Sequence, residues 1–466
     1  MGEGGILKIL VPGRKDARAI EAMLEAFMPG WRARVESLGG MRGDKLLDAA
    51  RERMEPFTVA LLGSREERVA RELEKEAPMF SEVLVSRAAK VRNNPLGVLH
   101  GLLSMARAGI RLRSSWVGGA LVLARVNGST LTGAPITPQG DSFLVYGQGA
   151  RVLSLFLVKR IPGAALLYKA GKGRHLVYAG PGPMGEVYFG NGYGPPRART
   201  YPGAPRARIT IGSIVEANRD VVKVLERHTV EVLRRSAGEP DLVLVPWSGG
   251  KDSTAALLVA LEAFGRDRVK AVYVDTGIDF PENLEYVEEV ASSLRIDYIV
   301  KRATVDDGLL LEGMPMPDPD YRWCTGRKLD ALREGFREAA WGRVVVVTGD
   351  RDAESERRAK RPPVRMDEKL GYPVVSPLKL WSGAHVQAYI LSKGVPLNPL
   401  YEKGFYRIGC YICFALRGWE IEVMRRGRVL DRIVGQRPDH KVLIDRFLEM
   451  KRKGFGGDLG DCICGA

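Results

Sequence analysis

The chain has 466 residues, 45% of them hydrophobic, and is too long for one ordinary core, so we expect roughly two to four domains. Lysine and arginine exceed aspartate and glutamate by 15, which favours polyanionic partners such as RNA or anionic nucleotides, with a generally basic, heat-adapted surface as the alternative. No run approaches the ~20 apolar residues of a bilayer span, and residues 1–5 lack signal-peptide features, so we expect a cytoplasmic protein without a membrane partner.

The first predicted unit is a small α/β domain over residues 1–112. Apolar runs at 6–11 and 57–62 have the length of buried strands, and each is followed by a charged amphipathic segment. Residues 83–86 give a further strand.

The second predicted unit, residues 113–212, consists of short apolar runs broken by glycine. The runs lie at 120–124, 143–146, 152–158 and 175–178. Their spacing predicts a β-rich domain, either a small barrel or a sandwich, which resembles the PUA-type RNA-binding barrel. Residues 180–208 are rich in Gly, Pro, Arg and Tyr, and form either a loop that contacts RNA or a flexible linker.

The third predicted unit, residues 213–466, begins with a helical pattern over 213–236 and continues with apolar runs that alternate with helical segments. The runs occupy 242–246, 269–274, 296–300 and 344–348. This alternation predicts an α/β fold, a doubly wound parallel sheet covered by helices on both faces. Ligands of such sheets bind at the carboxyl ends of the strands.

The most informative segment is Ser248-Gly249-Gly250-Lys251-Asp252-Ser253, which joins the run at 242–246 to an apolar helical stretch. Two glycines let successive backbone N–H groups converge on phosphate oxygens, and the helix start adds a partial positive charge. Lys251 and the serine hydroxyls add side-chain donors. The segment predicts a pyrophosphate-binding loop, and a Gly-Gly turn with solvated polar residues is the alternative. It is not a Walker A motif, which has Ser or Thr at the position of Asp252.

Polar residues after later strands extend this candidate site. Asp275 follows the run at 269–274 and is suited to hold a ribose hydroxyl or a magnesium ion. Arg351, Arg357 and Arg358 follow the run at 344–348 and offer bidentate donors for phosphate or sulfate, although each alone is more often a surface ion-pair residue. The predicted nucleotide-binding residues are Ser248, Gly249, Gly250, Lys251, Asp252, Ser253, Val274, Asp275, Thr276, Gly349, Arg351, Arg357 and Arg358.

All five cysteines lie in the last third of the chain, which is unlike a disulfide framework spread over a secreted protein. Cys410 and Cys413 form a C-x-x-C, and Cys324 lies 86 positions before it. Three thiolates brought together by the fold suit a soft metal.

The loop resembles the PP-loop of ATP pyrophosphatases, and residues 241–414 resemble the phosphoadenosine phosphosulfate (PAPS) reductase family. The motifs that carry the second resemblance occur in order at 248–253, 275–283, 323–328, 348–358, 377–381, 396–401 and 409–413. The resemblance implies a HUP/Rossmann-like PP-loop fold that binds an adenine nucleotide, either ATP or PAPS/APS, with Mg²⁺. It places the adenosine across the strand ends near Val274 and Asp275. In the superfamily, a substrate oxygen takes the adenylyl group while the loop holds the leaving pyrophosphate.

The cysteines resemble those of the iron-sulfur branch of this family, in which a Cys-Cys pair and a distant C-x-x-C ligate a [4Fe-4S] cluster. The resemblance implies Cys324, Cys410 and Cys413 as ligands. Thr325 replaces the second cysteine of the pair, so the fourth position falls to Cys462 or Cys464, or stays open for sulfide or substrate sulfur. A structural Zn²⁺ and a redox dithiol or inert cysteines are the alternatives.

Cys464 has a second interpretation. Sulfonucleotide reductases of the family carry a C-terminal Cys-Gly whose thiolate attacks the sulfur of the nucleotide, which implies Cys464 as the nucleophile. Ile463 stands where that family has a glutamate, so a metal-ligand or frayed-end role is the alternative.

Three functions fit these residues. The first is ATP-dependent, pyrophosphate-releasing sulfur transfer to tRNA or another RNA, with Lys251 holding pyrophosphate, Asp252 binding magnesium or shaping the loop, and an electron or sulfur donor protein as a further partner. The second is reduction of PAPS or APS to sulfite by Cys464. Reductases of the family usually carry a modified loop, so the intact one favours ATP. The third is a non-catalytic RNA-binding protein with a degenerate nucleotide site.

Overall fold

The computed structural model describes residues 5–171, 173–190, 193–203 and 208–454. Three main sheets lie within the three predicted units 1–112, 113–212 and 213–466. The domain limits themselves stay a prediction. None of the described helices combines the length and apolar character needed to span a membrane.

The first unit is a parallel four-stranded sheet with helices, in the strand order β2-β1-β3-β4. Its elements are β1 (Leu7–Val11), α1 (Arg14–Phe27), β2 (Ala33–Ser37), α2 (Gly43–Arg53), β3 (Thr58–Leu62), α3 (Glu67–Glu76), β4 (Glu82–Val85) and α4 (Leu96–Leu112). The strands predicted at 6–11, 57–62 and 83–86 are confirmed. Strand β2 has no buried residue because it is an edge strand, which explains why the apolar pattern missed it.

The second unit is an antiparallel five-stranded sheet in the order β11-β10-β9-β8-β7, preceded by the hairpin β5-β6. Its elements are β5 (Ser115–Val117), β6 (Ala120–Val122), β7 (Asp141–Val145), α5 (Gly147–Leu157), β8 (Ala165–Gly171), β9 (Arg174–Tyr178), β10 (Pro183–Tyr188) and β11 (Arg197–Thr200). The β-rich content is confirmed, but the sheet is open rather than a closed barrel, and the PUA resemblance stays a prediction. The interpretation of the run at 152–158 as a strand is wrong, because its residues up to Leu157 belong to helix α5, which buries Val152, Leu153 and Leu157 and leaves Leu155 exposed.

The third unit contains a six-stranded sheet in the order β14-β13-β12-β15-β17-β16, parallel except for the pair β16-β17. Its strands are β12 (Leu242–Pro246), β13 (Val269–Asp275), β14 (Tyr298–Arg302), β15 (Val344–Val347), β16 (Val364–Asp367) and β17 (Tyr372–Val375). Its first six α-helices in chain order are α6 (Ile211–Ala217), α7 (Arg219–Ala237), α8 (Lys251–Phe264), α9 (Pro281–Leu294), α10 (Val305–Leu310) and α11 (Trp323–Ala339). They are followed by α12 (Glu356–Lys360), α13 (Gly383–Ser392), α14 (Pro399–Lys403), α15 (Gly418–Arg426), α16 (Val429–Gln436) and α17 (Lys441–Lys453).

Both faces of this sheet are buried, which confirms the doubly wound prediction. Val243 and Val245 belong to the large core that includes α8, whereas Leu242 and Leu244 pack in a separate cluster with Phe336 of α11. Successive side chains of a strand point to opposite faces, so β12 is apolar throughout because both faces are covered.

The helix predicted over 213–236 is two helices, α6 and α7, which meet at Asn218. The Asn218 amide is buried and donates to the carbonyl oxygens of Leu121 and Ile214, while its side-chain oxygen accepts from the N–H of Leu123. These bonds tie the helix junction to hairpin β5-β6, so a tertiary contact sets the break.

Candidate nucleotide-binding site

The predicted PP-loop lies between the carboxyl end of β12 and the first turn of α8, at the sheet edge where the sequence places it. Gly249 has a φ of +72°, a left-handed conformation that favours glycine, and an added Cβ would lie 3.2 Å from the carbonyl oxygen of Asn283. The N–H groups of Gly249 and Gly250 have no hydrogen-bond acceptor within the described ranges. They are therefore available donors beside the positive end of a helix.

The serines of the loop hold its shape. The Ser253 hydroxyl donates to the Gly250 carbonyl oxygen at 3.0 Å and accepts from the backbone N–H of Ser248 at 3.2 Å. The two serine hydroxyls also lie 3.2 Å apart. These hydrogen bonds connect the two ends of the turn, so both serines stabilise the shape of the loop.

Lys251 is buried, and its charge is balanced inside the protein. Its Nζ lies 2.8 Å from Asp252 Oδ2 and above the rings of Phe143 and Tyr401, at 5.5 and 5.6 Å from their centroids. The ammonium group is therefore fixed beside the loop by a carboxylate and two aromatic faces.

Asp252 is the centre of an ion network that reaches the second unit. Its Oδ1 accepts from Arg351 Nε at 2.6 Å, and Arg351 Nη1 donates to Asp141 Oδ2 at 2.9 Å. Asp141 also accepts from the N–H of Gly383 at 2.8 Å. Burial works to raise the pKa of Asp252, but the charges of Arg351 and Lys251 outweigh it and hold the pKa at about 2. Asp252 is therefore a carboxylate that anchors the loop.

Gly349 lets the end of β15 approach the loop. A Cβ at Gly349 would lie 2.4 Å from the carbonyl oxygen of Asp252, so only glycine fits there. This approach brings Arg351, two residues later, against Asp252.

The three predicted arginines have different surroundings. Arg351 is buried between Asp252 and Asp141. Arg358 is buried and pairs with Glu354 and with Asp350, whose Oδ1 lies 3.4 Å from its Nη1. Arg357 is exposed, and its side chain forms no ion pair with any described residue. Only Arg357 thus presents a guanidinium that is not already engaged.

The strand end at β13 is held by short-range bonds. Asp275 Oδ1 accepts from the N–H of Gly277 at 2.8 Å, and its Oδ2 lies 3.3 Å from Arg302 Nη1. The buried Thr276 donates its N–H to Asp279 Oδ2 at 3.0 Å. Asp275 and Thr276, with Val274 before them, therefore lie at the same sheet edge as the loop, as the prediction requires.

Two residues that the sequence did not single out contact the loop directly. The Tyr401 hydroxyl accepts from the N–H of Lys251 at 2.8 Å, and Asn398 Nδ2 lies 3.3 Å from the Gly249 carbonyl oxygen. Burial and the nearby charge of Asp252 raise the pKa of Tyr401, so its hydroxyl keeps a proton to donate. Their motif, Asn398-Pro399-Leu400-Tyr401, was the available signal, because Pro399 starts a short helix that turns Tyr401 onto the loop.

Cys324, Cys410 and Cys413 line one small cavity of about 20 Å³, together with Thr276 and Lys328. Cys410 Sγ donates to Asp279 Oδ1 at 3.5 Å and lies 3.6 Å from Thr276 Oγ1. The fold thus brings the three predicted thiols next to the β13 strand end. Within the described ranges, however, no three His, Cys, Asp or Glu side chains converge closely enough to hold a metal ion. Cys462 and Cys464 lie outside the described residues.

Comparisons with known proteins point to one family. The phosphoadenosine phosphosulfate reductase domain matches residues 242–416. An adenosine 5'-phosphosulfate reductase of Streptomyces coelicolor is 37% identical over 164 residues, which cover 34% of this chain and 67% of that protein. An uncharacterized protein of Methanocaldococcus jannaschii is 33% identical over 216 residues, 46% of this chain and 45% of that protein.

The chain spans about half the length of the first two curated relatives, both from Methanocaldococcus jannaschii. Among solved structures, the PAPS reductase of Candida auris is 20% identical and covers 42% of this chain and 97% of that one, with a TM-score of 0.34.

Proposed function

Because the chain belongs to the phosphoadenosine phosphosulfate reductase family, we propose that its PP-loop binds the phosphates of an adenine nucleotide. The observation that carries this proposal is the pair of unengaged N–H groups at Gly249 and Gly250, located at the start of α8. The fixed ammonium of Lys251 and the hydroxyl of Tyr401 add a charge and a donor beside them. Together they match the charge and the acceptor oxygens of a pyrophosphate.

The reaction that we propose is adenylyl transfer from ATP followed by sulfur transfer to RNA. A carbonyl oxygen of an RNA base bonds to the α-phosphorus while the bond from that phosphorus to the bridging oxygen breaks, and pyrophosphate leaves on the loop. Hydrosulfide from a donor then bonds through its sulfur to the base carbon and gives up its proton, and AMP leaves with the former carbonyl oxygen. The protein's part is to hold the leaving pyrophosphate and to keep the reacting groups in place.

RNA as the acceptor is supported by the charge of the chain, +15, and by strand β11 at the edge of the second sheet. All four residues of β11 are exposed, including Arg197 and Arg199. Arg199 lies 5.9 Å from the ring centroid of Tyr201, which offers a base-stacking face next to a phosphate-binding cation.

Magnesium fits this site as a companion of the nucleotide. Both oxygens of Asp252 already face cations, so Asp252 is poorly suited to a metal ion. Asp275 has a partly exposed carboxylate at the strand end and is the better ligand. Mg²⁺ bound there would offset phosphate charge and supply Lewis acidity to the α-phosphate.

Replacing Lys251 by alanine tests the nucleotide site. We expect the dissociation constant for MgATP, measured by isothermal titration calorimetry, to rise by about 30-fold or more, because a fixed charge next to the phosphates typically contributes more than about 2 kcal/mol. Lys223→Ala removes an exposed lysine of α7 and should leave the affinity unchanged. Circular dichroism checks that both variants fold. An unchanged MgATP affinity in a folded Lys251→Ala protein would refute the loop assignment.

Reduction of APS or PAPS is the second candidate, favoured by the 37% identity to an APS reductase. In that reaction Cys464 attacks the sulfur, a thiosulfonate forms on the enzyme as AMP or its 3'-phosphate leaves, and a second thiol displaces sulfite to give a disulfide. Sulfite release from APS that disappears in Cys464→Ser would establish this reaction. Pyrophosphate release from ATP that depends on added tRNA would establish adenylyl transfer to RNA. Failure to bind any adenine nucleotide would favour a non-catalytic RNA-binding protein.

We propose an iron-sulfur cluster on Cys324, Cys410 and Cys413 as a separate hypothesis, supported by the cavity that they share. The three thiols do not converge as ligands, so no step of the reaction is assigned to a cluster. After anaerobic purification we expect iron, sulfide and visible absorbance that are lost in Cys410→Ser. Thr325→Cys, which restores the Cys-Cys pair, should raise the iron content per chain. Protein that is free of iron and carries zinc instead would exclude the cluster.

A further inference from the structure

A cavity of about 440 Å³ lies at the junction of the three units, away from the PP-loop. One wall is helix α4, another is the loop before β7, and the third is the segment 352–360 that leads into and forms α12. On α4 the lining residues are His100, Ser104, Arg107 and Arg111. Their spacing of four, three and four residues places all of them on one helix face.

Arg111 carries a positive charge into this wall without a carboxylate partner among the described residues. Its side chain is buried, and it donates from Nε to the carbonyl oxygen of Gly140 at 3.0 Å and from Nη2 to that of Pro138. Burial lowers the pKa of Arg111 to about 10, which still leaves it charged at neutral pH. Buried charges in proteins are normally paired, so an unpaired guanidinium beside a cavity marks a place for an anion.

The carboxylates that line the cavity pair directly with other cations, although the charges of Asp352 and of the more distant Asp141 favour the charged form of Arg111. Asp352 pairs with Arg107, and its Oδ1 also lies 3.1 Å from Lys379 Nζ. Glu354 pairs with Arg358, and Glu356 pairs with Lys360. Four cationic side chains therefore line the cavity against three carboxylates, an excess of one positive charge: Arg107, Arg111, Lys169 and Lys360 against Asp352, Glu354 and Glu356.

We infer that this cavity binds a tetrahedral oxyanion, phosphate or sulfate, either free or as an ester, with Arg111 as its principal ligand. The planar guanidinium presents N–H donors at the spacing of the oxygens of phosphate or sulfate, and Ser104 places a hydroxyl on the same helix face. The segment 352–360 begins immediately after Arg351, so it connects the cavity wall to the residue that anchors the PP-loop. This site is distinct from the proposed nucleotide site and does not depend on it.

The test uses full-length protein that carries Lys251→Ala, so that phosphate bound at the PP-loop does not contribute. Isothermal titration with inorganic phosphate, sulfate and glycerol 3-phosphate, an ester that lacks the adenosine recognised at the nucleotide site, is expected to show one remaining site. Tighter binding of glycerol 3-phosphate than of phosphate identifies an ester as the ligand, and the reverse order identifies the free ion.

Two further substitutions in that background decide the assignment. Arg111→Gln removes the charge, and Ser104→Glu adds a carboxylate to the same wall. Each is expected to weaken anion binding by at least about tenfold. Ser293→Glu, on the exposed face of α9, is the matched control for the added carboxylate. If Arg111→Gln fails to fold, Ser104→Glu alone gives the answer. Absence of the remaining site, or an unchanged affinity in Ser104→Glu, overturns the inference. The effect of Lys251→Ala on MgATP binding tests only the PP-loop assignment and does not bear on this cavity.

Discussion

Replacing Arg351 by methionine is expected to lower the free energy of unfolding by about 3–5 kcal/mol, the usual cost of removing one partner from a buried ion network. Arg351 is 1% exposed and neutralises both Asp141 and Asp252. Methionine fills a similar volume without a charge, so Asp141 would remain buried with only backbone N–H partners. Chemical denaturation followed by circular dichroism and by tryptophan fluorescence measures the loss.

Arg357 offers a matched control from the same sequence motif. It is exposed and forms no ion pair with a described residue, so Arg357→Met should change the unfolding free energy by less than about 0.5 kcal/mol. Adding Asp141→Asn to Arg351→Met should recover part of the loss, because an amide removes the unpaired buried charge. Equal stability of the two methionine variants would show that the network contributes little.

The parts of the fold that follow from local pattern were predicted well. The run at 242–246 is continuous in apolar residues because both faces of β12 are covered, and the left-handed turn after it requires a glycine at Gly249. Runs at 269–274 and 344–348 became β13 and β15, with Asp275 and Gly349 at the expected sheet edge. The run at 152–158 failed because a short apolar stretch has the same composition in a strand and on a buried helix face.

The contacts that complete the site depend on residues far apart in the chain. Asp141 is 210 residues from Arg351, and Tyr401 is 150 residues from Lys251. No periodicity connects such pairs. Packing of the second unit against the third brings Asp141 to Arg351, and packing within the third unit brings Tyr401 to Lys251. The sequence could therefore identify the loop and its nearby strand ends, but not the carboxylate and hydroxyl that fix its geometry.

The fold is also expected to lose stability in mild acid through three largely buried histidines. In one of them, His228, Nε2 donates to the Ile6 carbonyl oxygen, and burial lowers its pKa to about 4. His175 Nδ1 donates to the Gly173 carbonyl oxygen, and its Nε2 is buried without a partner; His385 accepts the Ser382 N–H at Nδ1 and donates from Nε2 to Leu123. Both rings are therefore held in the neutral form. Burial lowers the pKa of His175 to about 3 and that of His385 to about 4, from an ordinary value of 6.5.

Between these lowered pKa values and 6.5, the unfolded chain binds three protons that the folded chain does not, so stability rises with pH and is lost as pH falls from 6.5 towards 4. Three such groups give a slope of about 4 kcal/mol per pH unit in the middle of this window. Urea unfolding at about pH 6 and about pH 5 measures it. His175→Asn keeps a donor for Gly173 but does not titrate, so it should lower the slope by about a third, whatever its effect on overall stability. A slope that stays the same in this variant would show that groups other than His175 cause the acid sensitivity. Asp252 is not such a group, because its pKa lies below this pH window.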